Sequence, residues 1–484
     1  MRYVLDVDAF WWPRDGSTVL IGGSPAGVFS LSENGRPVVE AILAGSDPGK
    51  HARLIRSLVS RGVIHPLPEG SDVVAPVSLC VVVPVRDREI ELDACLGAIN
   101  ASLRIAEQTG RSTQSEIVVV DDGSAHPERV AAVCARHSAT VLRREESRGP
   151  GSARNLGAGA TESQVLCFVD SDVLVDEDWL SVLIAHLAES DLVAPRVACV
   201  PVGEVANAPE SRPGYRMLSA YERTEFPLDL GGCPGRVSPG SRISYLPSAA
   251  WCVRREVFEN AGGFDESLHT GEDVDFVWRL IAAGGVVRYE PTAAVSHPPR
   301  SSFRAMLAQR VGYGRSAGSL ATRHPGSVNP YVGSPANLVV LASFVARRPS
   351  WGCCAMAWEV VQLHRKLQKV PQPWKLALRL VLIGERWSVQ QFGTAILRPW
   401  FPVLLVLGRL RGPRFTLGTL VLVSRWARFH DRREDQALGL PRFLLLKLCD
   451  DLAYSAGVWA GAVETRGWGA VLPRSRHQRS GQRS

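Results

Sequence analysis

Acidic residues gather at three places where their spacing suits chemistry. Asp121 and Asp122 end the run EIVVVDDGS at 116–124, Asp170 and Asp172 end VLCFVDSDVL at 165–174, and Glu272 and Asp273 stand together in GEDVDFVWRL at 271–280. The first two pairs follow short runs of β-branched and apolar residues, the length of strands buried in a parallel sheet. Neighbouring carboxylates cannot be buried unpaired, so the chain must leave the core where each run ends. In an open α/β sheet that edge is where ligands bind. Carboxylates one residue apart, as in Asp170-Ser171-Asp172, can share a Mg2+ or Mn2+ ion whose remaining seats go to phosphate and water. Glu272 and Asp273 open a helical pattern; acids there either favour the helix start or act as a general base.

The elements that must position these acids follow from the pattern around them. Residues 77–83 (VSLCVVV) read as the first strand, which Pro84 is expected to end because it has no N–H for a central ladder. Arg86 follows, then a helix with Ile90, Leu92, Cys95, Leu96 and Ile99 at helical spacing. Between the first two acid pairs lies RGPGSARNLG at 148–157, a loop leading into a helix from Ala153 onward. Arg154 near that helix start is expected to meet a phosphate, to pair with a strand-end aspartate, or to do each in turn with and without donor. For Asp121 and Asp122 the alternative to ligand binding is a plain turn. Residues 195–245 lack a clear period and read as a long loop over the site. Residues 286–289 read as a strand, with His297 after it and Gln309 and Arg310 on a following helix.

Taken together, these features resemble the family-2 glycosyltransferases of GT-A type over residues 77–300. The resemblance implies a Rossmann-like, mostly parallel α/β sheet and transfer of a sugar from a nucleoside diphosphate with inversion. By motif position Pro84, Arg86, Asp121, Asp122, Arg154, Asp170 and Asp172 line the donor site, with Asp122 accepting the N3–H of uracil. Arg86 stands where many relatives carry an aromatic residue. Asp172 first and Asp170 second would hold the divalent metal; His297 is a further metal or diphosphate contact, or a structural histidine. Asp273 is the expected base, with Glu272 as its alternate or an acceptor-orienting neighbour. Trp251 stacks on an acceptor sugar or belongs to the core. Gln309 and Arg310 fall where processive relatives hold a growing chain, without the adjoining Trp. Nucleotidyltransferases share such a sheet but carry a Gly-rich signature where Pro84-Val85-Arg86-Asp87 stands here. A non-catalytic scaffold predicts loss of Asp172 or Asp273, and both are present.

The two ends of the chain differ from this middle. In residues 1–75, Asp15-Gly16 reads as a hairpin turn, 37–44 and 51–60 as helices, 63–64 as a strand and 66–76 as a linker. This small winged-helix-like α+β unit is similar to PqqD-type peptide-chaperone domains, or is a structural extension of the catalytic domain. Residues 301–484 read as helical. Within 331–484, 23 Lys and Arg face 8 Asp and Glu, although the whole chain carries only +7. Apolar blocks at 337–346, 401–408 and 415–423 fall short of the ~18 residues of a spanning helix. A basic, apolar tail without a nucleic-acid motif suggests attachment to the cytoplasmic face of a membrane, or a buried helical domain. The last stretch, PRSRHQRSGQRS, reads as disordered. The ten Cys show no CxxC or zinc spacing and read as reduced, and the acid-bearing start MRYVLDVDAFWWP does not read as a signal peptide. The three parts in this order resemble the mycofactocin-system glycosyltransferases. That resemblance implies UDP-glucose as donor, the peptide-derived premycofactocin as acceptor, and a β-1,4-linked oligoglucose product. A polyprenyl-linked or cell-wall glycan is the alternative acceptor.

Overall fold

The computed structural model describes residues 2–12, 18–24, 26–47, 49–67, 75–199, 214–402 and 438–475. The expected turn at Asp15-Gly16, most of the linker, the blocks beyond 402 and nearly all of the last stretch lie outside them. Two compact units emerge. One takes in the residues up to 11, 18–208 and 225–299; the other takes in 12–17, 209–224 and 300–484.

The first unit begins with β1 (Arg2–Leu5), β2 (Phe10–Trp12), β3 (Val19–Gly22), β4 (Gly27–Ser30), α1 (Gly35–Leu43), α2 (Ala52–Ser60) and β5 (Ile64–Leu67). Strand β5 returns antiparallel to β1, and β2, β3 and β4 form a separate three-stranded sheet. Both helices lie within about two residues of their expected positions, a shift ordinary for helix ends. Val39 and Ile42 of α1 and Ile55, Leu58 and Val59 of α2 share a core with Tyr3, Leu20 and Ile64.

The chain continues through β6 (Val77–Val85), α3 (Glu89–Gln108), β7 (Ser112–Asp122), α4 (Pro127–Arg136), β8 (Thr140–Arg144), α5 (Pro150–Gly159), β9 (Val165–Val169), β10 (Leu174–Val175), α6 (Trp179–His186) and β11 (Leu192–Cys199). After α7 (Tyr215–Glu225) come β12 (Gly235–Arg236), β13 (Ala250–Arg254), α8 (Arg255–Asn260), α9 (Glu272–Ala282) and β14 (Val287–His297). These strands form one mixed, mostly parallel sheet in the order β10-β14-β11-β13-β9-β6-β7-β8, with β12 beside β14. Strands β6 to β9 run parallel, β13 runs antiparallel to β9 and β11, and β11 and β14 are parallel. The central strands are buried on both faces, which is why they read as unbroken apolar runs.

Two sequence expectations change here. Strand β6 does not stop at Pro84. It pairs with β9 only as far as Val82 but with β7 as far as Val85, so Pro84 sits where the ladder has one neighbour. Residues 195–245 are not one loop, because they hold the end of β11, all of α7 and β12. The signal for α7 was Tyr215, Leu218 and Tyr221, buried at helical spacing.

The second unit is helical: α10 (Phe303–Arg323), α11 (Pro335–Ala346), α12 (Pro349–Lys366), α13 (Pro373–Leu397) and α14 (Leu440–Thr465). Helices α10 and α14 touch backbone to backbone. A Cβ on Gly314 would stand 2.2 Å from the Tyr454 carbonyl, and one on Gly457 would stand 2.1 Å from that of Val311. Among the described residues no helix is long and apolar enough to cross a membrane.

Candidate active site

The sheet edge formed by the ends of β7 and β9 carries the first two acid pairs. After β7, Gly123 turns the chain at φ +82°, and a Cβ there would lie 2.9 Å from the Ser147 nitrogen. Asp121 accepts from the Ser124 N–H at 2.9 Å and from Arg143 Nη1 at 2.5 Å. Asp122 accepts from Ser147 Oγ at 2.7 Å, the Arg148 N–H at 3.0 Å and the Gly149 N–H at 2.9 Å, with Arg144 Nη1 at 3.6 Å. Burial raises the pKa of Asp122, but these hydrogen bonds and Arg144 outweigh it and hold the carboxyl below its ordinary value. Both acids are buried. These donors tie the Asp122 carboxylate to the 147–149 loop.

That loop starts α5, and α5 explains the RNLG signature residue by residue. Pro150 opens the helix, three residues before Ala153, as Pro is tolerated in a first turn. Gly157 lets the helix lie on β6, since a Cβ there would meet Val82 Cγ1 at 2.3 Å. Asn155 clamps the Phe264 backbone, donating to its carbonyl at 2.8 Å and accepting from its N–H at 2.9 Å. Arg154 is buried and reaches two acids at once: Nη2 donates to Asp170 Oδ1 at 2.5 Å and Nη1 to Glu272 Oε1 at 3.0 Å. Desolvation works against its charge, yet Asp170 and Glu272 raise its pKa. Arg154 thus pairs with a strand-end aspartate and reaches the third acid pair as well.

Beyond β9, Asp172 meets Arg88 on Oδ2, while its Oδ1 lies 3.6 Å from His297 Nε2. Arg88, at the start of α3, was not foreseen from sequence; a cation just past the end of β6 was the available signal. His297 Nδ1 faces the Pro298 carbonyl at 2.7 Å. A carbonyl only accepts, so Nδ1 carries a proton, and Nε2 is the ring nitrogen that faces Asp172. A carboxylate beside an imidazole can share a cation. Among the described residues no group of three or more His, Cys, Asp and Glu is placed to hold a metal by itself. Mg2+ usually takes one or two protein carboxylates and leaves its other seats to phosphate and water.

Helix α9 starts at Gly271, whose φ of +83° is left-handed. Asp273 Oδ2 accepts from the Ser248 N–H at 3.1 Å, and its Oδ1 from the Val274 N–H at 2.8 Å. Burial and the neighbouring charge of Glu272 push its pKa up to about 7, against the opposing pull of the two N–H groups and Arg154. A carboxyl poised there is matched to proton abstraction near neutral pH.

The remaining expected residues are placed differently. Pro84 lies on β6, and Arg86 is largely exposed, with its Nε 3.7 Å from Asp87. Trp251 is fully buried, stacked on Phe264 and edge-on to Phe168, so it is a core residue and offers no face to a sugar. Gln309 and Arg310 lie on α10 of the second unit. There Arg310 is buried, with Glu222 and Asp450 each at 3.4 Å, and Gln309 donates to Tyr313 and accepts from Arg310. Arg310 is thus a structural cation of that unit, which corrects its assignment to an acceptor.

Residues 80–259 match the family model described as glycosyl transferase family 2. The pre-mycofactocin glycosyltransferase of Mycobacterium tuberculosis is 34% identical over 478 residues, spanning 96% of this chain and 95% of that protein. The chain belongs to the family-2 glycosyltransferases. Its sheet, with β13 antiparallel between β9 and β11, is the GT-A-like frame of this glycosyltransferase. A polypeptide N-acetylgalactosaminyltransferase of Drosophila melanogaster is 29% identical over 38% of this chain and 30% of its own. A mannosyltransferase of Pyrobaculum calidifontis, solved with GDP-mannose and Mn2+, overlaps 70% of this glycosyltransferase and 92% of its own chain at 16% identity and a TM-score of 0.39.

Proposed function

We propose that this glycosyltransferase moves glucose from UDP-glucose to pre-mycofactocin with inversion and extends it into a β-1,4-linked oligoglucose chain. The observation that carries the transfer step is Asp273, a half-buried carboxyl beside Glu272 at the start of α9, held by the Ser248 and Val274 N–H groups and with its pKa raised to about 7. Asp273 takes the proton of the acceptor hydroxyl as that oxygen bonds to the anomeric carbon. The bond from that carbon to the diphosphate breaks, and its electron pair leaves with UDP. Asp172, Asp170 and His297 would hold a divalent cation, Mg2+ or Mn2+, which when bound supplies charge stabilisation to the leaving diphosphate. Glu272 pairs with Arg154 and orients the helix start. The acceptor is supported by the name and near-complete overlap of the mycobacterial relative. We read residues 1–75 as a PqqD-like unit that presents this peptide-derived acceptor, and the basic tail as the part that holds the enzyme at the inner face of the membrane.

Mass spectrometry of products from purified protein, pre-mycofactocin and single UDP-sugars tests this reading. The expected result is a ladder of hexose additions with UDP-glucose. No addition to pre-mycofactocin with any UDP-sugar, and transfer once a polyprenyl-linked glycan is added to the same mixture, would overturn the acceptor.

A further inference from the structure

Helix α13 turns an apolar and basic face to the outside of the second unit. Leu376, Ala377, Val381, Glu385 and Ser388 are buried. On the other side Trp374, Leu378 and Leu382 stand four residues apart, and Ile383 and Trp387 continue the row beside them. Lys375, Arg379 and Arg386 lie among these residues, and with Leu378, Leu382 and Ile383 they line a shallow cavity of about 520 Å³. Helix α12 adds Trp351 and Trp358, seven residues apart and so on one helical face. The four indoles are 55% (Trp351), 61% (Trp358), 53% (Trp374) and 47% (Trp387) exposed, far more than a core or a solvated surface explains. His364 stacks on Trp374 at 3.8 Å, which ties α12 to α13.

The charge on this pair of helices has one sign outward. Residues 347–397 hold eight Lys and Arg against Glu359 and Glu385 alone. Neither acid is exposed: Glu359 accepts from Ser334 Oγ, and Glu385 accepts from Asn337 Nδ2 at 2.8 Å. A second copy of the same basic face would be repelled, whereas an anionic surface would be attracted. Indoles belong at the headgroup level of a bilayer, and Lys and Arg stems lie along apolar surface while their charges reach phosphate. No described helix can cross a membrane, so such a face lies on one.

We propose that the α12–α13 pair binds the surface of a bilayer containing anionic lipid, with its indoles at headgroup depth and Lys375, Arg379 and Arg386 on lipid phosphates. This deepens the membrane part of the function proposed above and is independent of the donor and acceptor assigned there.

Flotation of the full chain with vesicles tests it. The protein should float with equal parts phosphatidylcholine and phosphatidylglycerol, float poorly with phosphatidylcholine alone, and be released by high salt. The K375Q/R386Q variant should lose about thirtyfold in partition to the mixed vesicles, the effect expected for two basic residues at an anionic surface. The L382Q/W387Q variant should lose binding at every salt concentration. UDP binding at the parent level certifies that both variants fold; a parent that floats but does not bind UDP would count against the donor reading and leave this one standing. Failure of the parent to float with either composition would overturn the proposal. So would unchanged flotation of both variants, or variants that alter only the oligomeric state in sedimentation.

Discussion

Arg154 Nη1 donates to Glu272 Oε1 at 3.0 Å although 118 positions separate the two residues. The same guanidinium holds Asp170 at 2.5 Å, so one buried cation fastens the end of β9 to the start of α9. Removing it would leave two carboxylates facing each other with little water to screen them. Arg154→Ala is therefore expected to lower the unfolding free energy by ~3–5 kcal/mol. Arg154→Lys keeps the charge but cannot fork to both acids, and should recover only part of the loss. Urea denaturation of both variants checks this.

Asp273 should set the acidic limb of the activity profile. A base must be ionised, and burial together with Glu272 raises this carboxyl from 3.8 to about 7. The value of kcat/KM should fall about tenfold for each pH unit below that point. Glu272→Gln removes the repelling charge, so the limb should move to lower pH. Asp273→Asn should retain UDP binding and lose transfer by a factor of ~10² to 10⁴. Stability runs the other way. The folded pKa lies above the unfolded one, so the contribution of Asp273 is complete below 3.8 and is lost as pH rises through about 7. The stability of Asp273→Asn relative to the parent should therefore increase between those pH values, as read by urea denaturation across the range.

Asp172 faces both Arg88 and Nε2 of His297. If that acid holds the cation, Asp172→Ala should abolish the gain in UDP affinity on adding Mn2+, a loss of at least about tenfold. Calorimetric titration of UDP with and without Mn2+ reads this directly. An unchanged gain would move the metal elsewhere.

The parts of the fold that could be read from sequence were those with a short-range signature. Residues 117–120 and 165–169, before Asp121 and Asp170, are fully buried, so their apolar runs were visible, and in the RNLG helix Gly157 marks the close approach to β6. Helix α7 was missed because its apolar spacing is interrupted by Arg216, Glu222 and Arg223, two of which are charges enclosed inside the second unit. The site was legible as a set of acids but not as a network. Nothing near Asp122 in sequence announces that the 147–149 loop fills its oxygens, nor does anything near Arg154 announce that it reaches Glu272. Trp251 shows the same limit. An indole on a sheet strand suits a sugar or a core equally well, and only Phe168, Phe264 and Phe276 around it decide for the core.

The front piece is joined to the catalytic sheet through a buried histidine, and this gives the last test. His65 on β5 has Asp6 Oδ2 2.7 Å from Nε2 and Arg288 Nη2 of β14 3.0 Å from Nδ1. Arg288 can only donate, so Nδ1 is the acceptor, Nε2–H donates to Asp6, and the ring is neutral. Burial lowers the His65 pKa, helped by Arg288 and Arg242 and opposed by Asp6. Its folded value lies below the ordinary 6.5, so the unfolded chain takes up the proton first. The stability that His65 contributes is thus complete above that pH and is lost as pH falls below it. His65→Leu should cost ~1–3 kcal/mol at pH 8, because Asp6 and Arg288 each lose a buried partner. It should also flatten the stability profile between pH 7 and 5. The same strand that carries Arg288 ends in His297, so loosening its start should raise the Mn2+ concentration needed for UDP binding as well. Denaturation across pH, with Mn2+ titration of UDP binding beside it, distinguishes this docking role from a front piece that merely tethers an acceptor, for which neither readout would move.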